Sequence, residues 1–137
     1  MSGRVLVDTS ALLALAHPRD QYHERAVATG RRHLKAGGRF VGTVLVLAEL
    51  QAHLLFRRGP QDARRIAGAL LDDPAYEWVD VPVALVRSAT SAWLERFGDQ
   101  RFTLADAVSF EVMRRQRLTA AFAFDDDFET AGFCVLR

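Results

Sequence analysis

Between Arg4 and Leu136 the chain alternates short aliphatic and β-branched runs with longer amphipathic stretches, the pattern of strands separated by helices. Arg4 to Val7 predicts a short buried strand. Ser10 is expected to be the N-cap of a helix through Ala11, Leu12, Leu13, Ala14 and Leu15, which ends before His17-Pro18. Asp20 to Lys35 predicts a second helix with Tyr22, Ala26, Val27 and Leu34 turned inward, and Gly37-Gly38 stops it. Phe40 and Val41 form a second short strand. Thr43 then caps a third helix, apolar at Val44, Leu45, Leu47, Leu50, Leu54, Leu55 and Phe56, that reaches Arg57-Arg58 and breaks at Gly59-Pro60.

A fourth helix follows from Gln61 to Leu71, and the Asp72-Asp73-Pro74 turn leads into Glu77-Trp78-Val79, an alternating run suited to an edge strand. Val83 to Phe97 predicts one helix with Leu85, Val86, Ala89, Trp93 and Leu94 on a single stripe, ended by Gly98. Thr103 opens another helix to Arg117, Ala120 to Phe124 is a buried strand, Asp125 to Thr130 one helical turn, and Phe133 to Leu136 the last strand. Strands joined by helices require right-handed crossovers. The expected class is therefore α/β, with a central, mainly parallel sheet of about five short strands flanked by helices.

Composition narrows this picture only slightly. With 137 residues, half of them hydrophobic, the chain fills one core, so residues 1–137 are expected to be a single domain. A formal net charge of +1 neither demands nor excludes a nucleic-acid partner. Among 18 basic residues only Lys35 is a lysine; arginine suits phosphate, but genomic base composition explains the bias at least as well. Cys134 has no second cysteine to pair with, and its place between Phe133 and Val135 marks it as a small buried hydrophobe. Asp8, Thr9 and Ser10 interrupt the first apolar run, which makes a poor signal peptide, and no apolar stretch has the roughly 18 residues that span a bilayer. The expectation is a cytoplasmic protein.

Four acids stand where apolar residues or strand ends are expected. Asp8 follows the first strand, at the sheet edge where open α/β folds bind ligands. Glu49 interrupts TVLVLAELQAHLL, with Leu45, Val46 and Ala52 as its helical neighbours, so its carboxylate is costly unless neutralised. Asp106 lies in the first turn of RFTLADAVSF, and Asp125 follows AAFAF. Each has a structural reading by itself. Asp8 caps the next helix or orders the Thr9-Ser10 turn, Asp106 stands at capping-box spacing from Thr103, Asp125 caps the short helix before Phe128, and an i, i+4 contact to His53 satisfies Glu49. Taken together, four carboxylates at one sheet edge repel and raise one another's pKa unless a cation sits among them. Oxygen-only ligation selects Mg²⁺ or Mn²⁺, and such an ion can activate water for phosphodiester hydrolysis.

The order and spacing of VDTSALLAL, LAEL, TLADAVSF and FDDDFETAGF resemble the PIN-domain ribonucleases, and among them the VapC-type toxins of bacterial toxin-antitoxin pairs. The resemblance spans nearly the whole chain and implies a PIN-like fold. It makes Asp8, Glu49, Asp106 and Asp125 an acidic quartet around one or two divalent ions, with Thr9 as the hydroxyl residue that follows the first acid. Ser10, Asp126 and Asp127 are left open as helpers of that site, and His53 as a residue that tunes Glu49. The implied reaction is metal-assisted RNA hydrolysis giving 5′-phosphate and 3′-hydroxyl ends. A homodimer and a cognate antitoxin that covers the acidic site are implied as partners.

Substrate contacts fall to Arg57-Arg58, Arg64-Arg65 and Arg114-Arg115 with Arg117, although paired arginines on amphipathic helices are more often a solvated face. Trp78 and Trp93 read as core or interface, and His23 and His33 as solvated helix residues. No Ser-His-Asp or Cys-His grouping accompanies the acids, and His17, His23, His33 and His53 lack metal spacing. Two rival readings are a PIN fold without nuclease activity that binds RNA or protein, and a phosphoacceptor receiver domain. The latter needs a lysine near the end of a late strand, whereas Lys35 lies in an early helix.

Overall fold

The computed structural model describes residues 3–137. In chain order the elements are β1 (Arg4–Val7), α1 (Thr9–Ala16), α2 (His23–Lys35), β2 (Arg39–Thr43), α3 (Val44–Arg58), α4 (Pro60–Asp72), β3 (Tyr76–Val79), α5 (Val83–Ala89), a π-helical turn (Thr90–Glu95), α6 (Leu104–Gln116), β4 (Ala120–Phe122), α7 (Asp127–Thr130) and β5 (Cys134–Leu136). The strands form one five-stranded sheet in the order β3-β2-β1-β4-β5, and every pairing is parallel. The expected α/β class, the mainly parallel sheet and the edge position of Glu77-Trp78-Val79 are all observed.

Alternation along the strands divides the interior. Leu6, Val41 and Ala121 face a core closed by Leu85, Ala89, Trp93, Phe110 and Met113 from α5, the π turn and α6. Val7, Phe40 and Phe122 face the opposite core, closed by Leu12, Ala26, Leu50, Leu54 and Ala63 from α1 to α4. Helices thus cover both faces, as a parallel sheet requires. Thr43 caps α3 as expected, accepting from the Val46 N–H at 3.3 Å. Gly59 joins α3 to α4 as a single residue at φ +89°, a conformation that disfavours any residue with a Cβ.

Several local expectations are corrected. Asp8, in extended conformation at φ −95°, ψ 160°, is the N-cap of α1, and Ser10 lies inside the first turn. Asp20 does not begin α2. Its carboxylate accepts from the Tyr22 N–H at 2.8 Å in a turn, and the helix starts at His23. Leu34 is 38% exposed, and Ala26, Thr29 and Gly30 fill the buried face instead. Cys134 is exposed, because it lies on edge strand β5 with no neighbour beyond. The single helix expected over Val83 to Phe97 changes to π-helical at Thr90, whose hydroxyl donates to the Val86 carbonyl at 2.9 Å. Such back-bonding loosens the α ladder. β4 ends at Phe122, and residues 123 to 125 are already a loop.

Candidate acidic active site

Helices that follow parallel strands begin at the carboxyl edge of the sheet, and that edge is where the acids collect. Asp8 closes β1, its N–H donating to the Phe122 carbonyl of β4 at 3.0 Å. Glu49 is reached by the second turn of α3, Asp106 by the first turn of α6, and Asp125 by the loop after β4. All four line one open cleft together with Thr9, Ser10, Leu13, His53, Thr103 and Asp127. The chain places the predicted quartet, Thr9 and His53 in a single concave site.

Local bonds fix each acid. The Ser10 hydroxyl donates to Asp8 Oδ2 at 2.7 Å and accepts from the Phe124 N–H at 3.0 Å, which ties the end of β1 to the loop after β4. The Ser10 N–H donates to the same Asp8 oxygen at 3.2 Å. Thr9 Oγ1 donates to Glu49 Oε1, joining α1 to α3. Asp106 makes the full capping box: its Oδ2 accepts from the Thr103 N–H at 2.9 Å while its own N–H donates to Thr103 Oγ1 at 3.1 Å. Asp125 Oδ1 accepts from the Asp127 N–H at 3.1 Å. The capping roles and the shared cleft therefore coexist at Asp8 and Asp106.

The electrostatics separate buried acids from rim acids. Asp8 is 4% exposed and Asp106 8%. Burial, followed by the negative charge of Asp125, holds the Asp8 carboxyl well above the usual aspartate range. Asp106 is pushed up to about 6, first by burial and further by Asp127 and Asp125, against the lowering bonds from Thr103. Asp127 is also raised, by burial and then by Asp125, with a bond from Asp106 opposing. Glu49 departs from expectation in being only half-buried, and its bond comes from Thr9 rather than from His53, which is exposed.

Within FDDDF the sequence points to Asp125 and leaves Asp126 and Asp127 open, and the fold separates those two. Asp125 and Asp127 line the cleft. Asp126 points away, its side chain 88% exposed and 3.9 Å from Arg137. Asp127 is thus a fifth acid, its charge raising Asp106 as that of Asp125 raises Asp8. Ser10, expected to cap, instead clamps Asp8.

Among the described residues no three His, Cys, Asp or Glu side chains already converge at ligation distance. The acids stand in pairs instead, and this donor set still fits a hard cation. Mg²⁺ keeps several waters and takes only one or two carboxylates directly, and a positive charge relieves the crowding that raises Asp8, Asp106 and Asp127. Asp8, Glu49, Asp106 and Asp125, with Asp127 beside them, are the residues that could hold it.

Other expected contacts lie elsewhere. Arg114 and Arg115 bind the buried Glu111, with Nε to carboxylate distances of 3.0 and 2.9 Å, and Trp93 Nε1 donates to the same side chain at 3.1 Å. Arg65 pairs with Asp62. His23 and His33 are not simply solvated: His23 Nδ1 bonds the Ala14 carbonyl at 2.7 Å and His33 Nε2 the Arg39 carbonyl at 2.9 Å. Trp78 donates to the Leu70 carbonyl at 2.9 Å, a packing role.

A family model described as the PIN domain matches residues 5–133. The chain is 32% identical over 134 residues, 97% of its length and 98% of the relative's, to the 23S rRNA-specific endonuclease VapC20 of Mycobacterium tuberculosis. The crystal structure of that VapC20, described as a sarcin-ricin loop cleaving toxin, superposes with a TM-score of 0.81 at 31% identity, covering 94% of this chain and 95% of the other. VapBC2 from Rickettsia felis, solved bound to a DNA fragment from its promoter, matches in fold with a TM-score of 0.68 at 12% identity over 98% and 97% of the two chains. FitAcB from Neisseria gonorrhoeae does so at 0.63 and 17% over 97% and 96%.

Proposed function

Since the chain belongs to the PIN-domain family, we propose that it is a metal-dependent endoribonuclease of the VapC type, the toxin of a toxin-antitoxin pair. The observation that supports this most is the meeting of Asp8, Glu49, Asp106 and Asp125 in one cleft from positions far apart in sequence. Crowded, oxygen-only and partly buried acids suit a hard divalent cation, Mg²⁺ and Mn²⁺ among them. Held by Asp8, Glu49, Asp106 and Asp125, such an ion would supply positive charge and a water activated for attack on phosphorus.

The chain's own groups do the positioning. Ser10 orients Asp8 by holding one of its oxygens, and Thr9 orients Glu49. Thr103 fixes Asp106 through its backbone N–H. Asp127 adds negative charge beside Asp106 and strengthens cation binding. No nucleophilic side chain is required, and hydrolysis proceeds without a covalent enzyme intermediate.

Identity of 32% over almost the whole of both chains makes 23S rRNA and its sarcin-ricin loop the first substrate to try. A cognate antitoxin and a second copy of the chain are the expected partners, and the cytoplasm the expected location. Among the described residues no helix is long and apolar enough to cross a membrane. The receiver reading has no support, since Lys35 ends α2 and lines no part of the cleft.

The test is cleavage of a labelled 23S rRNA fragment in Mg²⁺ or Mn²⁺, with and without chelator. Wild-type protein is expected to cut only with the ion, and Asp8→Asn to lose cleavage while keeping its circular dichroism spectrum. Cutting that persists in chelator, or at equal rate in Asp8→Asn, overturns the assignment.

A further inference from the structure

Helices α1 and α3 run side by side from the carboxyl edge of the sheet. Two bonds fix their course: Thr9 Oγ1 in the first turn of α1 to Glu49 in the second turn of α3, and Arg58 NH1 to the Ala16 carbonyl at 3.0 Å where both helices end. One helical turn apart along α1 stand Thr9, Leu13 and His17, and along α3 Glu49, His53 and Arg57. The first two of each triplet line the acidic cleft. The last of each lines a second depression with Pro18, Arg19 and Arg58. The two depressions thus lie along one inter-helix groove, with Thr9 and His17 about 12 Å apart at 1.5 Å rise per residue.

The second depression has the chemistry of an anion site. Arg58 is committed: its Nε and NH2 donate to Asp62 at 3.0 and 2.9 Å, and its NH1 to Ala16. Arg19 and Arg57 are exposed and form no ion pair or hydrogen bond among the described residues. His17 Nδ1 is buried there and has no hydrogen-bond partner among the described residues, a condition that a ligand or an ordered water normally relieves. The other arginine pairs differ, since Arg114 and Arg115 are held by Glu111 and Arg65 by Asp62.

The geometry points to a phosphate-binding subsite at His17, Arg19 and Arg57 that holds the RNA backbone a few nucleotides from the bond to be cut, with Arg58 as the strut that positions it. This rests on the ribonuclease reading of the acidic cleft. It explains how a cleft of five acids engages a polyanion: the strand is anchored at the basic end of the groove and led past His53 toward the cation. An RNA strand is favoured over a protein segment because the lining is cationic and the groove runs into the acids.

The test measures binding alone. Fluorescence anisotropy of a labelled single-stranded RNA of about ten nucleotides, with divalent ions chelated so that nothing is cut, is titrated across salt concentrations for wild type, Arg57→Gln and Arg19→Gln/Arg57→Gln. Arg64→Gln, an exposed α4 arginine outside the groove, is the charge-matched control for Arg57→Gln. The double variant is expected to bind roughly tenfold more weakly per arginine removed, and its log–log salt slope to fall by about 1.4, at about 0.7 per phosphate contact. Unchanged affinity and slope overturn the subsite, as does an equal loss in Arg64→Gln. Intact RNA binding with lost antitoxin binding also overturns it, assigning the surface to protein. A wild type that binds RNA yet never cuts it with the ion present sinks the ribonuclease reading alone, so the two failures are distinguishable.

Discussion

At pH 7 the Asp106 carboxylate is a charge that the folded chain holds against its own preference. Its carboxyl titrates at about 6 in the fold, against about 3.9 in an unfolded chain. The gap of about two pH units corresponds to about 3 kcal/mol at 1.36 kcal/mol per unit. Because the folded value is the higher one, the group's stabilising contribution is complete below pH ~4, falls as pH rises through 6, and is absent above. Asp106→Asn removes the charge but keeps a carbonyl oxygen that accepts the Thr103 N–H, so the cap survives. Denaturant unfolding in chelator, followed by the fluorescence of Trp78 and Trp93, should find the variant more stable than wild type by up to about 3 kcal/mol at pH 7.5, with the difference vanishing near pH 4. Adding Mg²⁺ should stabilise wild type, by about 2.7 kcal/mol at a hundredfold excess over Kd, and the variant less. Cleavage should fall even as stability rises. A variant no more stable than wild type at pH 7.5, or a difference that stays constant from pH 4 to 8, refutes the reasoning.

Other expectations follow from the same bonds. Ser10→Ala should lower the melting point, at a cost of about 1–2 kcal/mol, because it strands the Phe124 N–H, and should slow cleavage by releasing Asp8; full activity in the cleavage assay counts against the clamp. Glu111, on the same helix as Asp106, has the opposite sign. Its bond from Arg114, then those from Arg115 and Trp93, hold it down to about 2 despite burial. Its contribution is therefore present above pH ~4.5 and lost as pH falls through 2, worth about 1–3 kcal/mol once the exposure of Arg114 is discounted. Glu111→Gln should be less stable than wild type at pH 7 and equal to it near pH 2 in acid-unfolding curves; equal stability at pH 7 refutes this.

Much of the scaffold is written in local pattern. The aliphatic run of β1 and the Thr43 cap of α3 depend on neighbours within a few residues, and both stand where the pattern puts them. Departures arise where a longer-range partner decides. Leu34 is exposed because the sheet packs on Ala26, Thr29 and Gly30. Cys134 is exposed because β5 is the edge strand, which its apolar neighbours do not reveal. The π turn at Thr90 depends on one hydroxyl bonding backward and on Trp93 reaching Glu111. The acids themselves stand out by residue type, but their meeting depends on β4 lying beside β1. Asp127 could not be separated from Asp126 until α7 assigned one to the cleft and the other to solvent.

The order β3-β2-β1-β4-β5 also has a timing consequence. Early in synthesis, β1 and β2 can pair and Thr9 can find Glu49, so Asp8 and Glu49, two of the five acids, can meet before the rest of the cleft is made. Asp125 and Asp127 arrive only with β4, which must slot in against β1 from far along the chain, Leu6 opposite Ala121. A chain folded only as far as α6 therefore lacks a finished acidic cluster.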